Sequence, residues 1–378
     1  MDVPKDHARR LRQALSLARR DALLSEEDGG PDGFGSLWAS MGRRGLLGWS
    51  VPAAFGGEGA RYAEMLSAMD GFVRAGGRPG LALSWAVHLI VAKTLIAECG
   101  TGRQRREILP AMASGKQTVS IALSEPEAGN DPKGIRTRAV RSGDRYVLDG
   151  EKTWLTNGPL ADFFLVFAVT ARRIGRKSFS AFLVPKDAPG LVVRDLPPPG
   201  FLEPARHCAI RLDRCTVPAD AVLGREGRAW EDLSKPFRAA EDVLLSGAVL
   251  GGLERLLRHA IQEGRKKPGK TAADGVERVG EAAALLEAAR HLAREAARSF
   301  EAERGGEAVE HRLVSLHRVV GHARESLCRA SEALGCANPG GPGRLGEDID
   351  RLIALGGSAS RARRRKWGHA LLSGKGTS

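Results

Sequence analysis

An aromatic ring flanked by hydroxyls is the arrangement in this chain best suited to chemistry. Trp154 and Thr156 stand in WLTNG at 154–158, and Ser124 stands in LSEPEAGND at 123–131. An indole offers a flat apolar face, and hydroxyls offer hydrogen-bond donors. Together they suit a planar ring with one polar edge. Trp154 taken alone reads better as a core aromatic, so its neighbours decide. Other chemistries find less support. The nine histidines are scattered, with no H-E-x-x-H or comparable spacing, so no metal site is expected. Cys99, Cys208, Cys215, Cys328 and Cys336 form no C-x-x-C pair and read as free thiols of a reducing compartment. GPGRLG at 341–346 satisfies G-x-G-x-x-G, but no strand precedes it and Pro342 interrupts it. It reads as a loop, because a dinucleotide site requires strand, turn and helix in that order.

The elements that position these residues follow from length and texture. At 378 residues, 42% apolar and 27% charged, the chain is long enough for one large domain or two to three ordinary ones with sizeable cores. No stretch approaches the roughly 20 uncharged apolar residues of a bilayer span. The charged start MDVPKDHARRLRQAL lacks the apolar centre of a secretory signal, so a cytoplasmic protein is expected. The net charge of +13 could attract nucleic acid, an anionic membrane or pyrophosphate groups. Its main cluster, RARRRKWGHALL, reads as the solvated face of a last helix, with no nucleic-acid module around it. Neither nucleic acid nor membrane is an expected partner.

Residues 1–117 read as a helical domain. Leu11, Ala14, Leu15 and Ala18 recur at helical spacing, SLWASMGRRGLLGW makes a second helix, and GGEGARYAEMLSAMDGFVRAGG a glycine-bounded third. LALSWAVHLIVAKTLIAECG is apolar, yet His88, Lys93 and Glu98 mark it as a core helix. Residues 118–227 change to short β-branched and aromatic runs, expected to form an antiparallel β domain with turns at SGD (142–144) and Asp149-Gly150. Residues 228–378 return to helical period in four long segments, which suggests a bundle. The expected class is α+β, in the order helices, β domain, four-helix bundle.

ALSEPEAGNDPKGIRTRA followed by GDRYVLDGEKTWLTNGPLADFFLVFAVT resembles the acyl-CoA dehydrogenase family, as does CTVPADAVLGREGRAW downstream. The resemblance implies an FAD enzyme that oxidises acyl-CoA or acyl-carrier-protein thioesters. It implies a homotetramer, or at least a homo-oligomer, passing electrons to an electron-transfer flavoprotein. It places Ile121, Leu123 and Ser124 along the flavin on one strand and Trp154, Leu155 and Thr156 on another. Gly129 and Asn130 match the turn that contacts the thioester, with Asn130 where most members carry Ser. The cofactor's pyrophosphate and adenine lean on a neighbouring subunit's bundle, where Arg265, Gly335 and Ser358 match. RKKPGK departs from that pattern with Pro268 for Phe, and LGCANP departs with Cys336 for Gly.

Removing an α-proton from a thioester needs a base, and a buried carboxylate serves when its pKa rises toward the working pH. Many members carry this glutamate in a loop that corresponds here to LIALGGSASR, where Gly356 stands in its place. The isovaleryl-CoA dehydrogenase type carries it on the first long bundle helix. Counting back from Gly251, that position is Glu241 in FRAAEDVLL, beside Asp242 where an arginine is usual. Glu241 reads either as the relocated base or as an acid complementing a helix start. An oxidase or monooxygenase on the same scaffold, and a catalytically silent binding member, stay open beside the dehydrogenase.

Overall fold

The computed structural model describes Ser16 and residues 31–373, apart from 174–175, 267–272, 305, 337, 339–340 and 342. The first expected helix, with Leu11, Ala14, Leu15 and Ala18, lies outside the described residues. Two compact units emerge, each assembled from separate stretches. Among the described residues one holds 31–60 and 84–238, the other 61–83 and 239–373.

The first unit is built on a sheet of β1 (Val119–Ala122), β2 (Arg138–Ser142), β3 (Arg145–Thr156), β4 (Phe163–Arg173), β5 (Arg176–Pro185), β6 (Leu191–Asp195), β7 (His207–Pro218) and β8 (Val222–Leu223). The order is β6-β7-β3-β2-β4-β5-β8, with β1 on β4. Most pairings are antiparallel as expected, but β1 runs parallel to β4, and β2 meets β4 parallel at Arg138 and Val169. The sheet is therefore mixed. The loop carrying LSEPEAGND returns the chain between β1 and β2 without reversing it, so both strands share one direction. Leu148, Leu155, Phe164, Val166, Phe182 and Ile210 interlock as its core, each contributing about 1.5–3 kcal/mol through burial.

SGD forms the β2–β3 turn as expected. Asp149-Gly150 does not turn but continues β3 through a register irregularity against β7. Gly150 has φ 147°, and a Cβ there would lie 2.5 Å from Thr137 Oγ1. Glycine serves here to let the backbones close up, not to reverse the chain. Gly150→Ala is expected to cost about 2 kcal/mol or more, checked by urea unfolding, because strain and overpacking combine.

Helix α1 (Pro31–Arg43) belongs with this sheet, as does most of α3 (Pro79–Ile90), which continues as a wider turn through Val91–Ala97. Pro79–Ala97 is long and apolar enough to cross a membrane, yet 89% of its most apolar stretch is buried inside the protein. His88 packs edge-on against Trp38 at 5.3 Å, and burial lowers its pKa to about 4, so it sits neutral in the core. Helix α4 (Gly102–Ser114) is capped by Thr101, whose hydroxyl accepts from the Gln104 amide at 3.2 Å, while Gln104 Oε1 accepts from the Thr101 amide at 2.9 Å.

The second unit holds α2 (Tyr62–Arg74) and the long helices α5 (Lys235–Arg265), α6 (Ala273–Glu303), α7 (Glu307–Ala333) and α8 (Leu345–Leu372). Gly247 and Gly251 let α2 approach α5 closely: a Cβ at either would lie 2.4 or 2.2 Å from the carbonyl oxygens of Leu66 and Asp70. Arg290 of α6 then ties both helices, donating to Asp70 at 3.3 Å and Glu254 at 3.1 Å. Helix α8 runs unbroken through Gly356-Gly357, so LIALGGSASR is helix and not the expected loop. Each glycine lowers helix propensity by only about 1 kcal/mol, and packing across the cavity described below outweighs that.

Candidate active site

In the sheet unit, the two motifs read from the sequence meet: Ile121 lies on β1, Leu123 and Ser124 follow its end at Ala122 instead of sharing the strand, and Trp154 to Thr156 close β3. The Thr153 amide donates to the Ser124 carbonyl at 2.9 Å, and Ser120 Oγ donates to the Thr156 carbonyl at 2.8 Å. Beneath them lies a buried ion pair. Lys152 is fully buried, and its ammonium donates to Glu125 Oε1 at 2.9 Å and to the Leu123 carbonyl at 3.0 Å. Glu125 also accepts from the Arg136 amide (2.8 Å), the Thr137 amide (2.9 Å) and the Thr137 hydroxyl (2.6 Å). Burial alone would raise the Glu125 pKa, but Lys152 and these donors outweigh it and hold it below 4.5. Burial dominates at Lys152 and lowers it to about 8 despite Glu125. Both residues sit inside the motifs that point to a flavin, yet sequence reasoning gave them no role. A charged pair at fixed places in two apolar-flanked motifs was the available signal.

This pair fixes the turn. Glu125 and Gly129 exchange backbone hydrogen bonds at 2.8 and 2.9 Å, leaving Gly129 and Asn130 exposed at its tip. On β3, one extra residue opposite β7 forms a bulge between Lys152 and Leu155. Trp154 takes φ 58° there, a conformation costly for a bulky residue. Leu155 consequently packs into the core, while the Trp154 side chain stays 54% exposed, edge-on to His207 at 5.8 Å. Burial lowers the His207 pKa to about 4, and its Nδ1 has no partner among the described residues.

These observations fit a flat, hydrogen-bonding ring. An indole is held outward at the expense of backbone strain, with its face available. The half-buried hydroxyls of Ser124 and Thr156 have no hydrogen-bond partner among the described residues, and Ile121 and Leu123 lie half-buried on the same edge. The sheet unit thus brings together eight of the positions read from the sequence: Ile121, Leu123, Ser124, Gly129, Asn130, Trp154, Leu155 and Thr156. Leu155 differs from the others in that its side chain is core.

In the helical unit, Glu241 is the seventh residue of α5 and only 9% exposed. It is not in a first turn, so the helix-start reading of this acid fails: the helix begins well before it. Glu241 lines a cavity of about 50 Å³ between α5, α7 and α8, and Gly356 lines the same cavity. Arg363 of α8 bridges Asp242 of α5 and Glu310 of α7, the latter at 2.7 Å. A Cβ at Gly356 would lie 3.3 Å from Asp242 Oδ1 and 3.6 Å from His317 Nδ1. The space beside Gly356 is thus taken by this charged network. Asp242 stands where an arginine was expected, and Arg363 supplies a guanidinium there from another helix.

Arg265 ends α5, exposed, and lines a groove of about 360 Å³ with Gly264, Val276 and Leu334. Gly335 follows Leu334 at φ 65°, so these two positions share one end of the helices. Ser358 lies in α8 with its side chain outside the described residues, and Pro268 is outside them altogether.

The family profiles "Acyl-CoA dehydrogenase, N-terminal domain" and "Acyl-CoA dehydrogenase, middle domain" match residues 8–116 and 120–215. Over 263 residues the chain is 30% identical to mitochondrial isovaleryl-CoA dehydrogenase of Pongo abelii, covering 68% of this chain and 62% of that protein. It is 32% identical over 266 residues to an acyl-CoA dehydrogenase of Bacillus subtilis (strain 168), covering 69% of each. The chain therefore spans only about two thirds of the length of these relatives. In three dimensions it is similar to the prolyl acyl carrier protein oxidase AnaB, with a TM-score of 0.83 over 98% of this chain and all of that one, at 23% identity. Sequence motifs, fold and profiles agree: the chain belongs to the acyl-CoA dehydrogenase family.

Proposed function

We propose that this protein is an FAD-dependent dehydrogenase of acyl thioesters, with Glu241 as the base. The observation that carries this reading is the shared cavity. The two alternative places for the base, 241 and 356, line one space, so a carboxylate on α5 serves the same region that one at 356 would. Glu241 takes the α-proton of the thioester. Trp154 offers its face to the ring, Ser124 and Thr156 offer hydroxyls to its polar edge, and Gly129 and Asn130 hold the thioester at the turn. Arg265 meets the pyrophosphate of a neighbouring subunit's cofactor, with Gly335 at the same end of the helices, and Ser358 on α8 makes a separate cofactor contact. FAD, when bound, supplies the acceptor for the β-hydride.

Coenzyme A and carrier proteins both present acyl groups on pantetheine, and the chain's net charge of +13 suits the phosphates of either. The reading includes a homo-oligomer, a tetramer by family resemblance, with an electron-transfer flavoprotein as acceptor and a cytoplasmic location. Free rather than paired cysteines fit a reducing compartment.

Mass spectrometry of thioesters incubated with the protein and an artificial electron acceptor tests the activity. The expected product is two hydrogens lighter than its substrate. Unchanged thioesters together with retained FAD would favour a silent binding member, and hydrogen peroxide formed in air would favour an oxidase. Trp154→Ala is expected to weaken FAD binding roughly tenfold to a hundredfold by removing a stacking face. Fluorescence titration of the apoprotein with FAD reads that change.

A further inference from the structure

The cavity beside Glu241 has a polar end as well as apolar walls. Asp242 of α5, His317 of α7 and Ser360 of α8 line it together with Leu245, Leu316 and Leu352. Ser360 is 2% exposed, and its hydroxyl has no partner among the described residues. Arg363, the cation of the cavity wall, is already engaged by Asp242 and Glu310. His317 is kept neutral chiefly by burial: Asp242 pulls its pKa upward, while Arg364, Arg318 and Arg363 push it down. A neutral imidazole has one nitrogen free to accept a hydrogen bond. What faces a ligand is therefore polar and able to accept a hydrogen: an imidazole with one accepting nitrogen and one N–H, and a hydroxyl that can turn either way, beside the Arg363-paired carboxylate of Asp242.

A plain alkyl chain lying against these groups would remove them from water and return nothing. A site built to meet a polar hydrogen discriminates strongly against an analogue that lacks it, whereas a purely apolar pocket discriminates weakly. Resting on the reading that Glu241 takes the α-proton, we propose that this cavity selects an acyl group carrying an N–H or O–H donor over a plain alkyl acyl group of the same size. Asp242, His317 and Ser360 receive the donor and act as specificity-determining residues.

Three five-membered rings of equal size separate the possibilities, each joined to pantetheine through an amide that resists turnover: cyclopentanecarbonyl, tetrahydrofuran-2-carbonyl and pyrrolidine-2-carbonyl. The first offers no polar atom, the second only an acceptor and the third an N–H donor. Calorimetric titration of the FAD-loaded protein is expected to show the pyrrolidine amide binding about 100-fold tighter than the cyclopentane amide. The tetrahydrofuran amide is expected to fall between the two, because the Ser360 hydroxyl and the imidazole N–H can donate to its ring oxygen. Ser360→Ala and Asp242→Asn should each cut the preference at least about tenfold. Asp242→Asn strands Arg363 and could prevent folding, but Ser360→Ala leaves that pair intact and carries the test alone. Equal affinities, no binding by any of the three, or a preference untouched by Ser360→Ala would overturn the proposal. Flavin reduction by thioesters, and its dependence on Glu241, reports on the underlying reading separately, so either can fail without the other.

Discussion

Glu241→Gln is expected to bind thioester as the wild-type chain does and to leave the flavin oxidised, with reduction slowed about 10²–10⁴-fold. The expectation follows from the asymmetry of the cavity. Gly356 carries no group that accepts a proton, and Asp242 is tied to Arg363. His317 has its pKa lowered chiefly by burial. Glutamine keeps the shape and a hydrogen-bonding end but cannot take a proton, so the loss should fall on the reduction rate and not on affinity. Anaerobic stopped-flow spectroscopy at saturating thioester separates the two. Reduction at the wild-type rate would remove Glu241 from the chemistry while leaving the rest of the assignment standing.

The second large effect belongs to the ion pair beneath LSEPEAGND and WLTNG. Lys152→Met is expected to destabilise the protein by about 3–5 kcal/mol, because it leaves the Glu125 carboxylate without its cation in a buried site. Replacing both residues, as Glu125→Gln with Lys152→Met, should recover part of that loss. Denaturant unfolding of the two variants reads both numbers. The sign of the pH dependence follows from Glu125. Its pKa is depressed below 4.5 in the folded state, so its contribution is present above that value and lost as pH falls through the folded pKa. The wild-type chain should therefore lose stability in acid more steeply than Glu125→Gln. The consequence reaches function, since the same pair holds the Glu125–Gly129 turn against β3. FAD retention should fall in Lys152→Met even where the fold survives.

What the sequence disclosed and what it concealed divide along physical lines. LSEPEAGND and WLTNG were legible because contiguous residues of fixed type do the work there, and a motif preserves that. The α–β–α order was legible from periodicity, as was the buried character of the segment around His88. The bulge that turns Trp154 outward was not, because a left-handed tryptophan is a conformation that no propensity suggests. Asp149-Gly150 read as a turn on local preference, but Thr137, pressed against it from another strand, makes the glycine a close-contact residue. Gly356-Gly357 was placed in a loop by the family resemblance, whereas here the segment is helix throughout. The Asp242–Arg363 bridge spans 121 residues of chain, and its partners have no local signature. The association of Arg61–Leu83 with the C-terminal helices likewise depends on Gly247 and Gly251 meeting backbone carbonyls, which spacing along α5 alone does not announce.

The measurement that tests the central claim most directly is the anaerobic visible spectrum of the purified, FAD-loaded protein before and after addition of acyl thioesters. The expected result is a yellow protein that bleaches with at least one thioester and returns to yellow when an electron acceptor is added. A protein that stays colourless after incubation with FAD, or that holds FAD and never bleaches across plain and donor-bearing thioesters, would contradict it.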